Sequence, residues 1–471
     1  MLQVTRVHFI GIGGIGMSAL AKLLKHAGVA VSGSDAAASE ITQELERRGI
    51  KVTIGHTAEA VPPDTDLVVY SSAVPEQNVE RAEARRRNIR QLNNFECWAA
   101  WCEGKATTLI TGTHGKSTTT ALIGLLLRDI PAHPTVAVGS KVPDFSDGNL
   151  DLGSTDALVI EGDEYARHFL SFHPRLVVLN NIELDHTDTF ANLDDLRETF
   201  GQLLLQMESG GTIVANADDP QISTLIGKMR GALEARGITI MTFGFASHAD
   251  VQIADHRTKE GEQSFAIRDA REAWGRFTLH VPGRINVMNA VAAATVAHTY
   301  GVSFGTMQRV LSAFRGIWRR FEIVHEQGKT VVVSDYAHHP TAVRATIEAA
   351  KQWFPGRRLV VCFQPHQRRR LQDLFLEFVP SFDAADVLVL CEVYDVRGRN
   401  EVQGQSVSSQ DLIQAIAHSD ADRGATRLVE YAADPQAALA LLRQVHQPGD
   451  VILVMGAGDI YLIAKNIFKG A

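Results

Sequence analysis

Residues 107–120 read TTLITGTHGKSTTT and lead into ALIGLLL. An apolar run, a glycine-lysine-serine turn and a helical run in that order specify a strand, a tight turn and a helix. That unit confines the chain to α/β architectures in which parallel strands are covered by helices. It confines the chemistry as well. Gly112 and Gly115 let backbone N–H groups turn inward around phosphate oxygens, and the following helix adds the positive end of its dipole. Lys116 is placed to reach β- and γ-phosphates and the Ser117 hydroxyl to hold Mg²⁺. The spacing GxxGKS is two residues shorter than the general GxxxxGK[ST] form, so the flanking strand and helix carry part of the reading. The expectation is a site for ATP or GTP.

A second glycine turn lies near the N-terminus, where Gly11-Ile-Gly13-Gly-Ile-Gly16 follows one strand and Asp35 ends the next. This is the GxGxxG pattern with its ribose-binding acid. Tight glycine turns at a helix N-terminus hold any diphosphate, that of a nucleotide sugar included. A NAD-dependent oxidoreductase is therefore a rival reading, but it leaves the separate phosphate loop without a purpose. A phosphate-loop switch protein is another, and it leaves the histidine-rich strands DYAHHP and FQPH unexplained. Beyond the phosphate loop, two strands end in carboxylate clusters, Glu161-Gly-Asp163-Glu164 and Glu183-Leu-Asp185-His186. In a parallel sheet such strand ends gather on one side, so both clusters belong beside Lys116. Carboxylates suit Mg²⁺, with Mn²⁺ as its substitute, whereas a histidine ligand more often marks a second metal position.

At 471 residues the chain exceeds what one hydrophobic core supports, and about three domains are expected. The net charge of −8 argues against nucleic-acid binding by bulk electrostatics. There is no uninterrupted apolar run of membrane-spanning length, and the N-terminus enters a strand directly, so no membrane association and a cytoplasmic location are expected. Cys97, Cys102, Cys362 and Cys391 lack CxxC spacing and read as buried reduced thiols. Alternating strand and helix signals divide the chain into residues 1–103, 104–316 and 317–471. The stretch 132–153, AHPTVAVGSKVPDFSDGNLDLG, reads as a surface connection or flap.

The combination GIGGIGMS, GSD, SSAV, GTHGKSTTT, EGDEYARHFL, NNIELDH, ANADD, GRINVMNA, RRFE, DYAHHPT, FQPH and GAGDI resembles the Mur ligases of peptidoglycan synthesis along essentially the whole chain. The resemblance implies a Rossmann-like N-terminal domain for a UDP-sugar, a central phosphate-loop ATPase-type domain and a Rossmann-like C-terminal domain for the amino acid. It implies ATP-dependent joining of L-alanine to UDP-N-acetylmuramate, with a tripeptide-recycling ligase as the nearest alternative, by a monomer or weak homodimer. By the same resemblance, Gly13, Gly14, Gly16, Met17 and Ser18 face the UDP diphosphate, with Asp35, His56, Ser71 and Ser72 near the uridine. Gly112, Thr113, His114, Gly115, Lys116, Ser117 and Thr118 hold ATP phosphates, while Ser117, Glu164 and His186 bind metal. Asn286 and Asn289, on one helical face, contact adenine. Arg320 reaches the γ-phosphate and Asp335 the ATP. Tyr336, His338, His366 and Arg370 line the amino-acid pocket. Two positions depart from the family pattern. Ile285 replaces a histidine, and Gln367 stands where an arginine is usual, removing a cation that could fork onto a carboxylate.

Overall fold

The computed structural model describes residues 4–131, 133–395 and 407–469. Among them three sheets follow one another along the chain. The first contains β1 (Arg6–Ile10), β2 (Ala30–Asp35), β3 (Lys51–Ile54), β4 (Leu67–Tyr70) and β5 (Arg90–Asn93), all parallel, in the order β3-β2-β1-β4-β5. Strand order reverses between β1 and β4, and ligand crevices in open α/β sheets form at that switch point. The glycine turn leaves β1 there.

The central sheet has ten strands. These are β6 (Thr107–Thr111), β7 (Thr135–Ala137), β8 (Leu150–Asp151), β9 (Leu158–Glu161), β10 (Leu176–Leu179), β11 (Thr212–Asn216), β12 (Thr239–Gly244), β13 (Val251–Lys259), β14 (Glu262–Arg268) and β15 (Ala273–Leu279). They run in the order β15-β14-β13-β12-β11-β10-β6-β9-β7-β8. The phosphate-loop strand β6 lies between β9 and β10, pairing parallel with each. Both carboxylate clusters therefore emerge on either side of the phosphate loop. The helix Lys116–Leu127 packs on the alanine-rich helix Arg284–Thr299, whose Ala292, Ala293 and Ala294 are fully buried. Small side chains let the two backbones come close, which brings Asn289 up to the phosphate loop.

The C-terminal sheet contains β16 (Glu322–Gln327), β17 (Thr330–Asp335), β18 (Leu359–Phe363), β19 (Val387–Cys391), β20 (Leu428–Ala432) and β21 (Val451–Met455), in the order β16-β17-β21-β18-β19-β20. Four inner strands, β17, β21, β18 and β19, are buried at every residue. Strands covered on both faces read as continuous apolar runs, which VILVM and LVVCF do.

Two elements differ from expectation. The antiparallel meander β13–β15 and the antiparallel edge strand β16 make the second and third sheets mixed rather than parallel. The stretch 133–153 is neither a flap nor a plain connection. It supplies β7 and β8, and Val136, Val138, Val142 and Phe145 enter the core. Lys22 of the first domain, almost fully buried, donates to the Asp147 carbonyl and the Asn149 amide oxygen, and Asn149 donates to the Ile15 carbonyl at 2.6 Å. The stretch thereby fastens the first domain to the second. The four cysteines are buried and free, as expected, and burial pushes the Cys97 and Cys102 thiols up to about 12. No helix among the described residues is long and apolar enough to cross a membrane.

Candidate active site where three domains meet

Gly112 and Gly115 take φ of +130° and +82°. A Cβ at Gly112 would lie 2.9 Å from the backbone of Asn181, and one at Gly115 would lie 2.3 Å from Asn289 Oδ1, so only glycine fits either place. No side chain caps the helix Lys116–Leu127, and the amides of its first turn are left for an anion. The loop is tied down from behind. Thr113 Oγ1 donates to the Glu183 carbonyl and accepts from the Glu183 N–H, both at 2.9 Å, and the His114 N–H donates to Asn181 Oδ1 at 2.7 Å. Thr118 is buried within the helix.

Lys116 Nζ donates to the Gly112 carbonyl at 2.7 Å and to Glu164 Oε2 at 2.8 Å. Burial opposes its charge, but Glu164, Asp163 and Glu161 outweigh burial and hold its pKa above the usual lysine value. Ser117 Oγ donates to Glu161 Oε2 at 3.0 Å, and Glu161 also accepts the Gly139 N–H. Burial nevertheless raises the Glu161 carboxyl above its ordinary value.

Asp163, Glu164 and His186 offer ligand atoms all within 4.8 Å of one another. His186 Nδ1 is buried with no hydrogen-bond partner, and its backbone is held at φ +53°. A buried unpaired nitrogen on a strained residue beside two carboxylates fits a cation. Two carboxylates beside a phosphate loop suit Mg²⁺.

The C-terminal domain closes this site. Arg320 stands over the Tyr336 ring with its guanidinium carbon 4.9 Å from the centroid. His338 Nδ1 donates to the Tyr336 carbonyl at 2.9 Å, and burial together with Arg370 drives its pKa well below the usual histidine value. His366 stacks on Tyr394 at 5.6 Å, with its ring 6.0 Å from that of His338. Ile15 and Gly16, Lys116, Glu164 and His186, and Arg320, Tyr336 and His338 line one cavity of about 600 Å³. A second cavity of about 700 Å³ is lined by Asn180, Asn216, Arg284, Ile285, Met288 and Asn289, behind the phosphate loop. Asn289 donates to Asn286 Oδ1 at 3.2 Å, and its own Oδ1 accepts from Thr119. Ile285 lines this cavity and is among the more exposed large apolar residues.

Several expected site residues have partners that change their part. Asp35 Oδ2 accepts the Gly13 N–H at 2.8 Å, bracing the N-terminal turn in which Gly14 caps the helix Ile15–His26. Met17 is buried in the core, and the Ser18 hydroxyl donates to the Ile15 carbonyl while accepting from Asn149. Their side chains thus serve packing. His56 Nδ1 lies 2.7 Å from Glu80, Ser71 Oγ accepts weakly from the Ala73 N–H, and Ser72 Oγ lies 3.3 Å from His168. Asp335 accepts the Phe321 and Ala337 N–H groups, both at 2.7 Å, so its carboxylate anchors the interdomain segment. Arg370 is buried and forks onto Asp185, Nε to Oδ1 at 2.8 Å and Nη2 to Oδ2 at 3.2 Å. Burial disfavours the Asp185 carboxylate, but Arg370, His186 and His338 hold it well below the usual range.

Sequence reasoning missed Arg319, which donates to the Gly456 and Gly458 carbonyls and lies 4.2 Å from the Tyr461 centroid. Its signal was the doubled arginine of RRFE, where only the second was assigned.

A phosphate loop and a carboxylate-histidine group of the central domain, faced by a basic wall of the C-terminal domain and by the glycine turn of the first, define an enzyme that uses a nucleoside triphosphate for group transfer. The chain belongs to the Mur ligase family. The model described as Mur ligase family, catalytic domain, matches residues 6–101, the Mur ligase middle domain matches 110–297, and the Mur ligase, glutamate ligase domain, matches 319–458. Similar curated relatives include UDP-N-acetylmuramate--L-alanine ligases of Salinibacter ruber, 39% identical over 98% of this chain and 93% of that protein, and of Symbiobacterium thermophilum, 38% identical over 99% and 95%. The crystal structure of UDP-N-acetylmuramate-alanine ligase from Thermotoga maritima superposes with a TM-score of 0.81 at 27% identity, covering 98% of each chain.

Proposed function

We infer that this chain is an ATP-dependent ligase that joins L-alanine to UDP-N-acetylmuramate through an acyl phosphate, releasing ADP and phosphate, in peptidoglycan precursor synthesis. The domains are taken as residues 1–103, 104–316 and 317–471. One observation carries the reading: a single cavity is lined by the N-terminal glycine turn, the phosphate loop and the histidine-bearing C-terminal segment. A hydride-transfer enzyme has no use for the phosphate loop in that cavity.

A carboxylate does not yield to an amine at neutral pH, because the departing group would be oxide. Phosphorylation makes it a leaving group. Lys116, charged and pinned between Gly112 and Glu164, faces the β- and γ-phosphates, and Arg320 approaches from the opposite domain to neutralise the transferring group. Ser117, Glu164 and His186 would hold Mg²⁺, which when bound offsets phosphate charge. The muramoyl carboxylate attacks the γ-phosphorus in line and ADP departs. The neutral amine of L-alanine then attacks the acyl carbonyl, and phosphate leaves the tetrahedral intermediate as hydrogen phosphate, carrying off the proton that the amine nitrogen loses. His338, with Nδ1–H committed to Tyr336, presents Nε2 as an acceptor for an amine N–H. Its depressed pKa makes it an orienting group and a poor store for a proton. Closure of the C-terminal domain excludes water from the acyl phosphate.

Phosphate release measured with ATP, UDP-N-acetylmuramate and a panel of amines tests the reading. L-alanine is expected to support turnover above L-serine, glycine and the tripeptide. Preference for the tripeptide would make it the recycling ligase, and ATP hydrolysis without an amide product would reject a ligase.

A further inference from the structure

We propose that His114, Glu183 and His339 form a second metal site, for a borderline divalent cation of the zinc type, which ties the central domain to the C-terminal domain. The three side chains present ligand atoms all within 4.8 Å of one another. His114 Nε2 lies 2.8 Å and His339 Nδ1 3.8 Å from the same oxygen, Glu183 Oε2. Ligands at about 2.0–2.1 Å around tetrahedral zinc stand about 3.3 Å apart, so the first contact opens and the second closes by about half an ångström.

The surroundings are those of a ligand set. His339 Nε2 donates to the Leu184 carbonyl at 3.2 Å, which fixes the tautomer with its lone pair on Nδ1; Nδ1 caps the helix Pro340–Trp353 through a long 3.3 Å bond from the Thr341 N–H, and a cation would take the place of that bond. A ligating imidazole is commonly oriented through its second nitrogen in this way. The other Glu183 oxygen accepts from the Thr341 hydroxyl, so Oε2, which His114 Nε2 bonds, is the oxygen a cation would draw in. Two imidazoles and one carboxylate favour zinc over magnesium, whereas the Asp163–Glu164–His186 group is richer in hard oxygens. The two sites are thus chemically distinct, although both flank the phosphate loop.

His114 and Glu183 belong to the central domain and His339 begins a C-terminal-domain helix, Pro340–Trp353. An ion bound by all three would hold the domains together and slow the opening that turnover requires. Zinc would therefore act as an inhibitory clamp.

The test is calorimetric titration of zinc chloride into the full chain without nucleotide or magnesium. Wild-type protein and a His186→Asn variant should bind zinc alike, while His339→Asn, which preserves the helix cap, and Glu183→Gln should each bind at least about tenfold more weakly. Cobalt(II) added to the wild type should give the visible absorption of a four-coordinate ion, and His339→Asn should abolish it. Equal zinc affinity in wild type and His339→Asn overturns the proposal, as does loss of binding only in His186→Asn. Absence of zinc binding by the wild type overturns it also.

Discussion

The molecule contains two glycine turns, each leading from a strand into a helix, and they are built for different tasks. The N-terminal turn is braced by a carboxylate, Asp35, on the Gly13 amide, and its helix begins Ile15-Gly16-Met17 with no cation. The central turn carries Lys116 in the first helical position, held by Glu164 and Gly112. A turn of amides alone binds a diphosphate that stays intact. A turn with an added cation, opposed by Arg320 from another domain, offsets charge that moves during phosphoryl transfer. The same backbone device thus serves as a holder in one domain and as part of a reaction centre in the next.

If that contrast is right, Lys116→Ala carries the largest effect, a fall in kcat on the order of 10²–10³ or more with the far-ultraviolet circular dichroism unchanged. Near wild-type turnover would erase the distinction between the turns. Arg370→Ala comes next. It strands the buried Asp185 carboxylate, and loss of one partner of such a pair costs about 3–5 kcal/mol, so chemical denaturation should show a marked loss of stability and the L-alanine KM should rise at least about tenfold. Adding Asp185→Asn should recover much of the stability but not the KM. At the N-terminal turn, calorimetry should detect UDP-N-acetylmuramate and neither NAD nor NADP, and Asp35→Ala should weaken the sugar nucleotide by about tenfold, the scale of one lost charged hydrogen bond. The opposite preference would revive the dehydrogenase.

Acidification sharpens the picture of the C-terminal wall. His338 is held neutral in the folded chain, with His168 and His339 shifted the same way, so the unfolded chain binds more protons below its histidine pKa near 6.5. Stability is complete above about pH 6.5 and falls as the pH drops beneath it, by about 1.4 kcal/mol per pH unit for His338 alone. Tm measured at pH 7.5 and 5.5 should differ, and His338→Gln should narrow the gap. The smallest effect is expected from Gln367→Arg, a few-fold lower KM for L-alanine with the ATP KM unchanged.

The two turns were also the parts most legible in the sequence. Their chemistry is local: glycine, lysine and an adjoining helix specify a phosphate site within a dozen residues. Glu161, Glu164 and His186 were legible because strand ends in a parallel sheet share a side. Arg370 was expected to line the amino-acid pocket, and its commitment to Asp185 depends on a contact 185 residues away that no local pattern encodes. Asp335 is committed in a related way. A carboxylate at a strand end looks available for ligand until the Phe321 and Ala337 amides are seen to occupy it. The stretch 133–153 misled because its Gly, Pro and Asp residues look solvent-exposed, while the apolar residues between them complete a sheet edge and a domain contact.

The central claim is that phosphoryl transfer and amide formation occur in one cavity, through an acyl phosphate. UDP-N-acetylmuramate labelled with ¹⁸O in its lactyl carboxylate, turned over with ATP and L-alanine, tests it most directly by mass spectrometry of the released phosphate. Attack of the carboxylate on the γ-phosphorus, followed by departure of phosphate, must carry one ¹⁸O into inorganic phosphate. Unlabelled phosphate alongside unreacted carboxylate that keeps both ¹⁸O atoms would mean that water, not the carboxylate, takes the phosphoryl group, and would contradict the mechanism.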